Sequence, residues 1–129
     1  MSENAKKKIL LVEDVMTNRF LLESFLTDYD CVSVGNGDEM YVELEKDRPD
    51  LILMDIGLPG ENGLELTKQL ARNPEFGDIP VIFLTSHSDK REILEAAKAG
   101  GYDYILKPAD DSILSARIEM ALARHKKNK

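Results

Sequence analysis

Four short β-rich runs in this chain are each followed by a group that can hold or move charge. Glu13-Asp14 follows residues 8–12, Asp55 follows 51–54, Thr85-Ser86 follows 81–84, and Lys107-Pro108 follows 102–106. In an open parallel sheet, ligands bind outside the carboxyl ends of the strands, so these groups converge on one rim. The rim would hold three carboxylates, a hydroxyl and an ammonium. Carboxylates held together repel and raise each other's pKa. A hard divalent cation relieves that repulsion. An all-oxygen ligand set suits Mg2+, which keeps several waters and takes one or two carboxylates plus phosphate oxygens. A carboxylate beside such an ion can attack a phosphoryl group and form an acyl phosphate. The metal, the lysine and the hydroxyl can then share the charge of the phosphoryl oxygens. A solvated acidic rim with a lysine ion pair would account for an acid pair alone. It does not account for a fitting group at all four strand ends.

The elements that must position these groups alternate in period. β-rich runs at 8–12, 31–34, 51–54, 81–84 and 102–106 are separated by helical spacings: Leu22 with Leu26 and Tyr29, Met40 or Tyr41 with Leu44, Leu66 with Leu70, Ile93 with Ala97, and Leu114 with Ile118 and Ala121. Turn and helix-end signals fall where the period switches, among them Asn36-Gly37, Pro49-Asp50, Pro59-Gly60 and Gly100-Gly101. Five β-then-α units predict an α/β fold, a doubly wound parallel sheet with helices on both faces. Residues 9–12 and 51–54 are continuously apolar, as in central strands buried on both sides.

The chain has 129 residues, 43% hydrophobic and 32% charged, which fits one folded domain over 1–129 with a core at about 7–124. No apolar stretch approaches the roughly 20 residues of a membrane span, and the N-terminus lacks the pattern of a secretory signal. The net charge is −7, although Lys6, Lys7, Lys8, Arg124, Lys126, Lys127 and Lys129 crowd the two ends. The acidic body repels nucleic acid, so no direct nucleic-acid contact is expected, and the basic tails read as solvated ends. The single cysteine, Cys31, excludes a disulfide framework and a cysteine-based zinc site. It fits a reducing cytoplasm and is expected to be a small buried residue. His87 and His125 are too far apart in sequence, and too unaccompanied, for a metal pair, and both are expected to be exposed.

Over about residues 7–124 the chain resembles the receiver domain of two-component response regulators. The matching stretches are Ile9-Leu10-Leu11-Val12-Glu13-Asp14, Leu53-Met54-Asp55-Ile56-Gly57-Leu58-Pro59-Gly60, Gly63, Leu84-Thr85-Ser86 and Tyr104-Ile105-Leu106-Lys107-Pro108. The resemblance implies a flavodoxin-like (βα)5 fold with strand order 2-1-3-4-5. It makes Asp55 the phosphoacceptor. Asp14, Asp55 and the Gly57 carbonyl become direct Mg2+ ligands, with Glu13 acting largely through a water. Thr85 and Lys107 become the groups that bind the phosphoryl oxygens, Lys107 aimed by a cis bond to Pro108. Tyr104 becomes the aromatic switch that follows Thr85. Gly57 and His87 stand where side chains tune the lifetime of the phosphorylated state.

The implied donor is a histidine kinase or a histidine phosphotransfer protein. The implied receiver of the signal is an output protein or domain, or a second copy in a phosphorylation-dependent homodimer. It would dock on the face of the fourth helix, fifth strand and fifth helix, with Lys90, Arg91, Tyr102, Asp103 and Arg117. Such a domain is a signalling module that catalyses its own phosphorylation and slow dephosphorylation, not an enzyme acting on a separate substrate.

Three alternatives share the fold or the chemistry. A phosphohydrolase of the haloacid dehalogenase type wants a second aspartate two residues after the nucleophile, where this chain has Gly57. A flavin or nucleotide binder wants a phosphate-cradling loop after the first strand, where Glu13-Asp14-Val15-Met16 would repel an unaccompanied phosphate. A receiver used only for docking would not need the intact acid set. For Tyr104 alone, simple packing in the last strand is the bland alternative.

Overall fold

The computed structural model describes residues 6–58, 62–85, 90–107 and 110–127, with the side chains of 90–93 and 125–127 outside the description. Five strands, β1 (Lys8–Val12), β2 (Asp30–Val34), β3 (Leu51–Asp55), β4 (Val81–Thr85) and β5 (Asp103–Leu106), form one parallel sheet in the order β2-β1-β3-β4-β5. The helices α1 (Met16–Phe25), α2 (Gly37–Lys46), α3 (Gly63–Arg72), α4 (Lys90–Lys98) and α5 (Asp111–Lys127) are the crossovers. This is the flavodoxin-like (βα)5 arrangement.

Alternation along each strand divides the core between the two faces of the sheet. Leu10, Val12, Ile52, Met54 and Phe83 pack against Met40 and Leu44 of α2, Leu66 and Leu70 of α3, and Ala96 of α4. Ile9, Leu11, Leu51, Leu53, Ile82 and Leu84 pack against Leu22 of α1 and Leu114, Ile118 and Ala121 of α5. Every residue of β1, β3 and β4 is buried, so β4 is a central strand alongside the two that were expected. Its run Val-Ile-Phe-Leu-Thr is as continuously apolar as theirs.

Two boundaries differ from expectation in a way that matters for the site. Asp55 and Thr85 are the last residues of their strands, not the first of the loops. Backbone pairing continues past both, with the Ile56 amide donating to the Leu84 carbonyl at 3.1 Å and the Lys107 amide to the Thr85 carbonyl at 2.7 Å. Both side chains therefore stand on hydrogen-bonded sheet. Cys31 also differs, being half-buried, because β2 is an edge strand with cover on fewer sides. Burial still pushes its thiol up to about 12, with the charges of Glu23 and Asp30 adding to the effect.

Helix starts are written locally. Asn36 caps α2 by accepting from the Glu39 amide at 2.9 Å, and Asn62 caps α3 by accepting from the Leu64 amide at 2.7 Å. Gly100, with φ 103°, takes the left-handed conformation just beyond the end of α4. At the sheet edge opposite the acidic rim, Lys8 is buried in β1. Its ammonium donates to Glu43 Oε2 at 2.8 Å and to the Asp47 carbonyl at 2.7 Å, closing the C-terminus of α2.

That ion pair yields a stability prediction. Lys8→Met removes the buried partner of Glu43, leaving it the exposed Lys46 ammonium at 3.8 Å, and should cost about 3 kcal/mol in urea unfolding. The double variant Lys8→Met/Glu43→Leu should recover most of that loss.

Candidate functional site

Because all five strands are parallel, their C-terminal ends share one rim. Glu13 and Asp14 directly follow β1, Asp55 ends β3, Thr85 ends β4, and Lys107 follows β5. Glu13 is fully buried, Asp55 is buried and Asp14 is half-buried. One carboxylate oxygen from each of the three can stand within 4.8 Å of the others.

Lys107 reaches into this cluster. Its Nζ lies 2.9 Å from Glu13 Oε1 and 3.3 Å from Asp55 Oδ1. The second oxygen of Glu13 accepts from the Val15 amide at 3.1 Å. Val15 precedes α1 and brings no capping side chain of its own, so Glu13 supplies an acceptor there. Both oxygens of Glu13 are thus engaged, which leaves Asp14 and Asp55 better disposed for direct ligation. Asp55 Oδ1 also accepts from the Gly57 amide at 3.1 Å, a contact that no residue pattern marks in advance. It folds the loop back over the carboxylate and brings the Gly57 peptide beside it.

The charges follow from this geometry. Burial raises the Glu13 carboxyl above its ordinary 4.5, and the charge of Asp55 adds to that. The hydrogen bonds from Lys107 and the Val15 amide oppose it. Burial pulls the Lys107 ammonium down, but the hydrogen bond to Glu13 and the charges of Asp55 and Glu13 outweigh it and hold it above its ordinary value. Among the described residues the Lys107 ammonium pairs with two of three clustered carboxylates, so they give the site excess negative charge. Its donor set is all oxygen and fits a hard divalent cation such as Mg2+.

The remaining expected residues that are described stand on the neighbouring strands β4 and β5. Thr85 is buried in β4, one residue beyond Leu84, which pairs with Asp55 across the β3–β4 ladder. Tyr104 in β5 pairs with Phe83 and so shares a sheet face with Phe83 and Thr85, its ring partly exposed. His87, Ser86 and Pro108, and with Pro108 the geometry of its peptide bond, lie outside the described residues, as does the side chain of His125.

The family model for the response regulator receiver domain matches residues 9–119. The chain belongs to this family. It is 32% identical over 118 residues to the protein PilH of Pseudomonas aeruginosa, covering 90% of this chain and 98% of that one. It is 34% identical over 120 residues to the phosphate regulon transcriptional regulatory protein PhoB of the same species, covering 92% of this chain and 52% of PhoB. The chain spans about half the length of several curated relatives that it matches. Among solved structures, the receiver domain of a Pseudomonas aeruginosa sensor histidine kinase, with a magnesium ion coordinated in its active-site cleft, superposes with a TM-score of 0.83. It shows 29% identity and covers 92% of this chain and 99% of that one.

The excess charge predicts a stability effect. Without metal, Asp14→Asn should stabilise the fold by about 1 kcal/mol in thermal melts, because it relieves repulsion that the unfolded chain does not feel. Mg2+ should raise the melting temperature of the unsubstituted protein and do much less for Asp14→Asn.

Proposed function

We propose that this domain accepts a phosphoryl group on Asp55 from a phosphohistidine donor and passes the signal on by changing shape. The observation that carries this reading is the gathering of Glu13, Asp14, Asp55 and Lys107, from three strand ends far apart in sequence, into one cluster with two buried carboxylates. Asp14, Asp55 and the Gly57 carbonyl would hold Mg2+, with Glu13 behind them. When bound, the ion offsets the negative charge that builds up as phosphoryl oxygens approach the carboxylates.

The chain's own groups divide the remaining work. Asp55 ends a central strand, so its carboxylate has little freedom to move and serves as the nucleophile. The Gly57 amide and the Lys107 ammonium hold its Oδ1, which leaves the other oxygen to attack in line. After transfer, Lys107 pairs with the new phosphoryl oxygens. Thr85, at the next strand end, moves to donate a charge-assisted hydrogen bond to them. Tyr104 shares the Thr85 face of the sheet, and its ring fills the space that Thr85 leaves.

Two apolar surfaces suit the two partners. Val15, Met16 and Phe20 are exposed beside the acidic rim, where a histidine kinase or phosphotransfer protein would have to approach. Leu94, Tyr104, Leu106, Ile113 and Met120 are exposed along α4, β5 and α5, next to the Arg117–Asp103 pair at 2.8 Å. This second face would meet the output partner or a second copy. The side chains of Lys90 and Arg91, expected on the same face, lie outside the described residues. Among the described residues, no helix is long and apolar enough to cross a membrane. This fits a cytoplasmic setting for a single receiver domain over the whole stretch.

Intact-mass spectrometry tests the acceptor. Acetyl phosphate with Mg2+ should add one phosphoryl group to the folded protein and none to Asp55→Asn. Undiminished labelling of Asp55→Asn would overturn the assignment.

A further inference from the structure

The loop that follows Asp55 is held from beneath by the first turn of α3. The Gly63 amide donates to the Ile56 carbonyl at 3.1 Å, so the helix start and the strand end share a hydrogen bond. Around that bond the two backbones touch. A Cβ on Gly63 would stand 2.3 Å from the Asp55 carbonyl oxygen and 3.0 Å from both Ile56 Cα and Met54 Cγ. The closest of these atoms is backbone, so no change of rotamer relieves the clash. Gly63 does not have a positive φ, so the position requires space rather than an unusual conformation.

The same turn is fixed from both of its ends. Asn62 Oδ1 accepts from the Leu64 amide at 2.7 Å, and the buried Thr67 hydroxyl donates to the Gly63 carbonyl at 2.9 Å. On the other side, the Ile56 amide is tied to the Leu84 carbonyl of β4 at 3.1 Å. The Asp55–Ile56 peptide is therefore gripped between β4 and α3.

We propose that Asn62 and Gly63 are positioning residues for phosphoryl transfer: the capped, Cβ-free first turn of α3 sets where the Asp55–Gly57 backbone lies. It thereby aims the Asp55 carboxylate and the Gly57 carbonyl at the same ligands. The proposal rests on the reading of Asp55 as phosphoacceptor. It adds that the reactive geometry is held by a close approach of two backbones outside the acid cluster. A displacement of about 1 Å at a reacting centre costs on the order of 100-fold in rate.

The test compares Gly63→Ala and Asn62→Ala with Asn36→Ala in the full chain. Asn36→Ala removes the same kind of cap from α2, where Asn36 accepts from the Glu39 amide, and touches no part of the Asp55 loop. Each variant is studied at a temperature where its melt shows it folded. Mg2+ affinity is measured by calorimetry and the phosphorylation rate with acetyl phosphate. Gly63→Ala should slow transfer by about 100-fold and weaken Mg2+ binding. Asn62→Ala should move both in the same direction by less, and Asn36→Ala should leave both unchanged. If Asn62→Ala behaves as Asn36→Ala does, the proposal is overturned, and this comparison decides alone should Gly63→Ala fail to fold. If the unsubstituted protein binds Mg2+ but takes no phosphoryl group, the phosphoacceptor reading is overturned and the transfer proposal falls with it, an outcome distinct from unequal labelling of the variants.

Discussion

Like charge held close is the constraint on which the rest of this molecule depends. Glu13, Asp14 and Asp55 bring carboxylate oxygens within 4.8 Å of one another, and the Lys107 ammonium is set against two of them. Left in water, these side chains would separate. The sheet prevents this, because Asp55 ends a fully buried central strand and Glu13 directly follows another. The core thus pays an electrostatic cost at one rim, and a hard cation bound there would offset it. A receiver domain is in this sense a stable sheet with one deliberately unsatisfied edge.

Much of this was legible in the sequence. The alternation of β-rich and helical periods gave the α/β class, and continuous apolar runs marked β1 and β3 as central. The acid pair, the lone aspartate and the lysine were identifiable because each follows a strand. Other features were not legible, for physical reasons that can be named. That Asp55 and Thr85 are strand residues depended on hydrogen bonds beyond the apolar run. The half-burial of Cys31 followed from the edge position of β2, which no local pattern records. The grip of Gly63 on Asp55 is a contact between two backbones, and a glycine in a sequence does not say what it lies against.

The two faces of the sheet divide the labour. Asp55 pairs with Leu84, whose neighbours in the core are on the α1 and α5 side, whereas Thr85, Phe83 and Tyr104 share the opposite face with α4. A change at the rim that draws on both Asp55 and Thr85 therefore pulls on both layers. Packed layers of this kind tend to move between discrete arrangements rather than deform smoothly, which suits a two-state signal. Exposed apolar side chains on α4, β5 and α5 lie where such a change would be read.

The central claim, that the carboxylates repel one another inside the fold, is tested most directly at Glu13. Carbon-detected NMR of its side-chain carboxyl, followed against pH in metal-free protein, should give a midpoint above the ordinary 4.5, raised first by burial and further by the charge of Asp55. Asp55→Asn should bring that midpoint down, because it removes a neighbouring negative charge. A Glu13 midpoint at or below 4.5, or one that does not move in Asp55→Asn, would contradict the account.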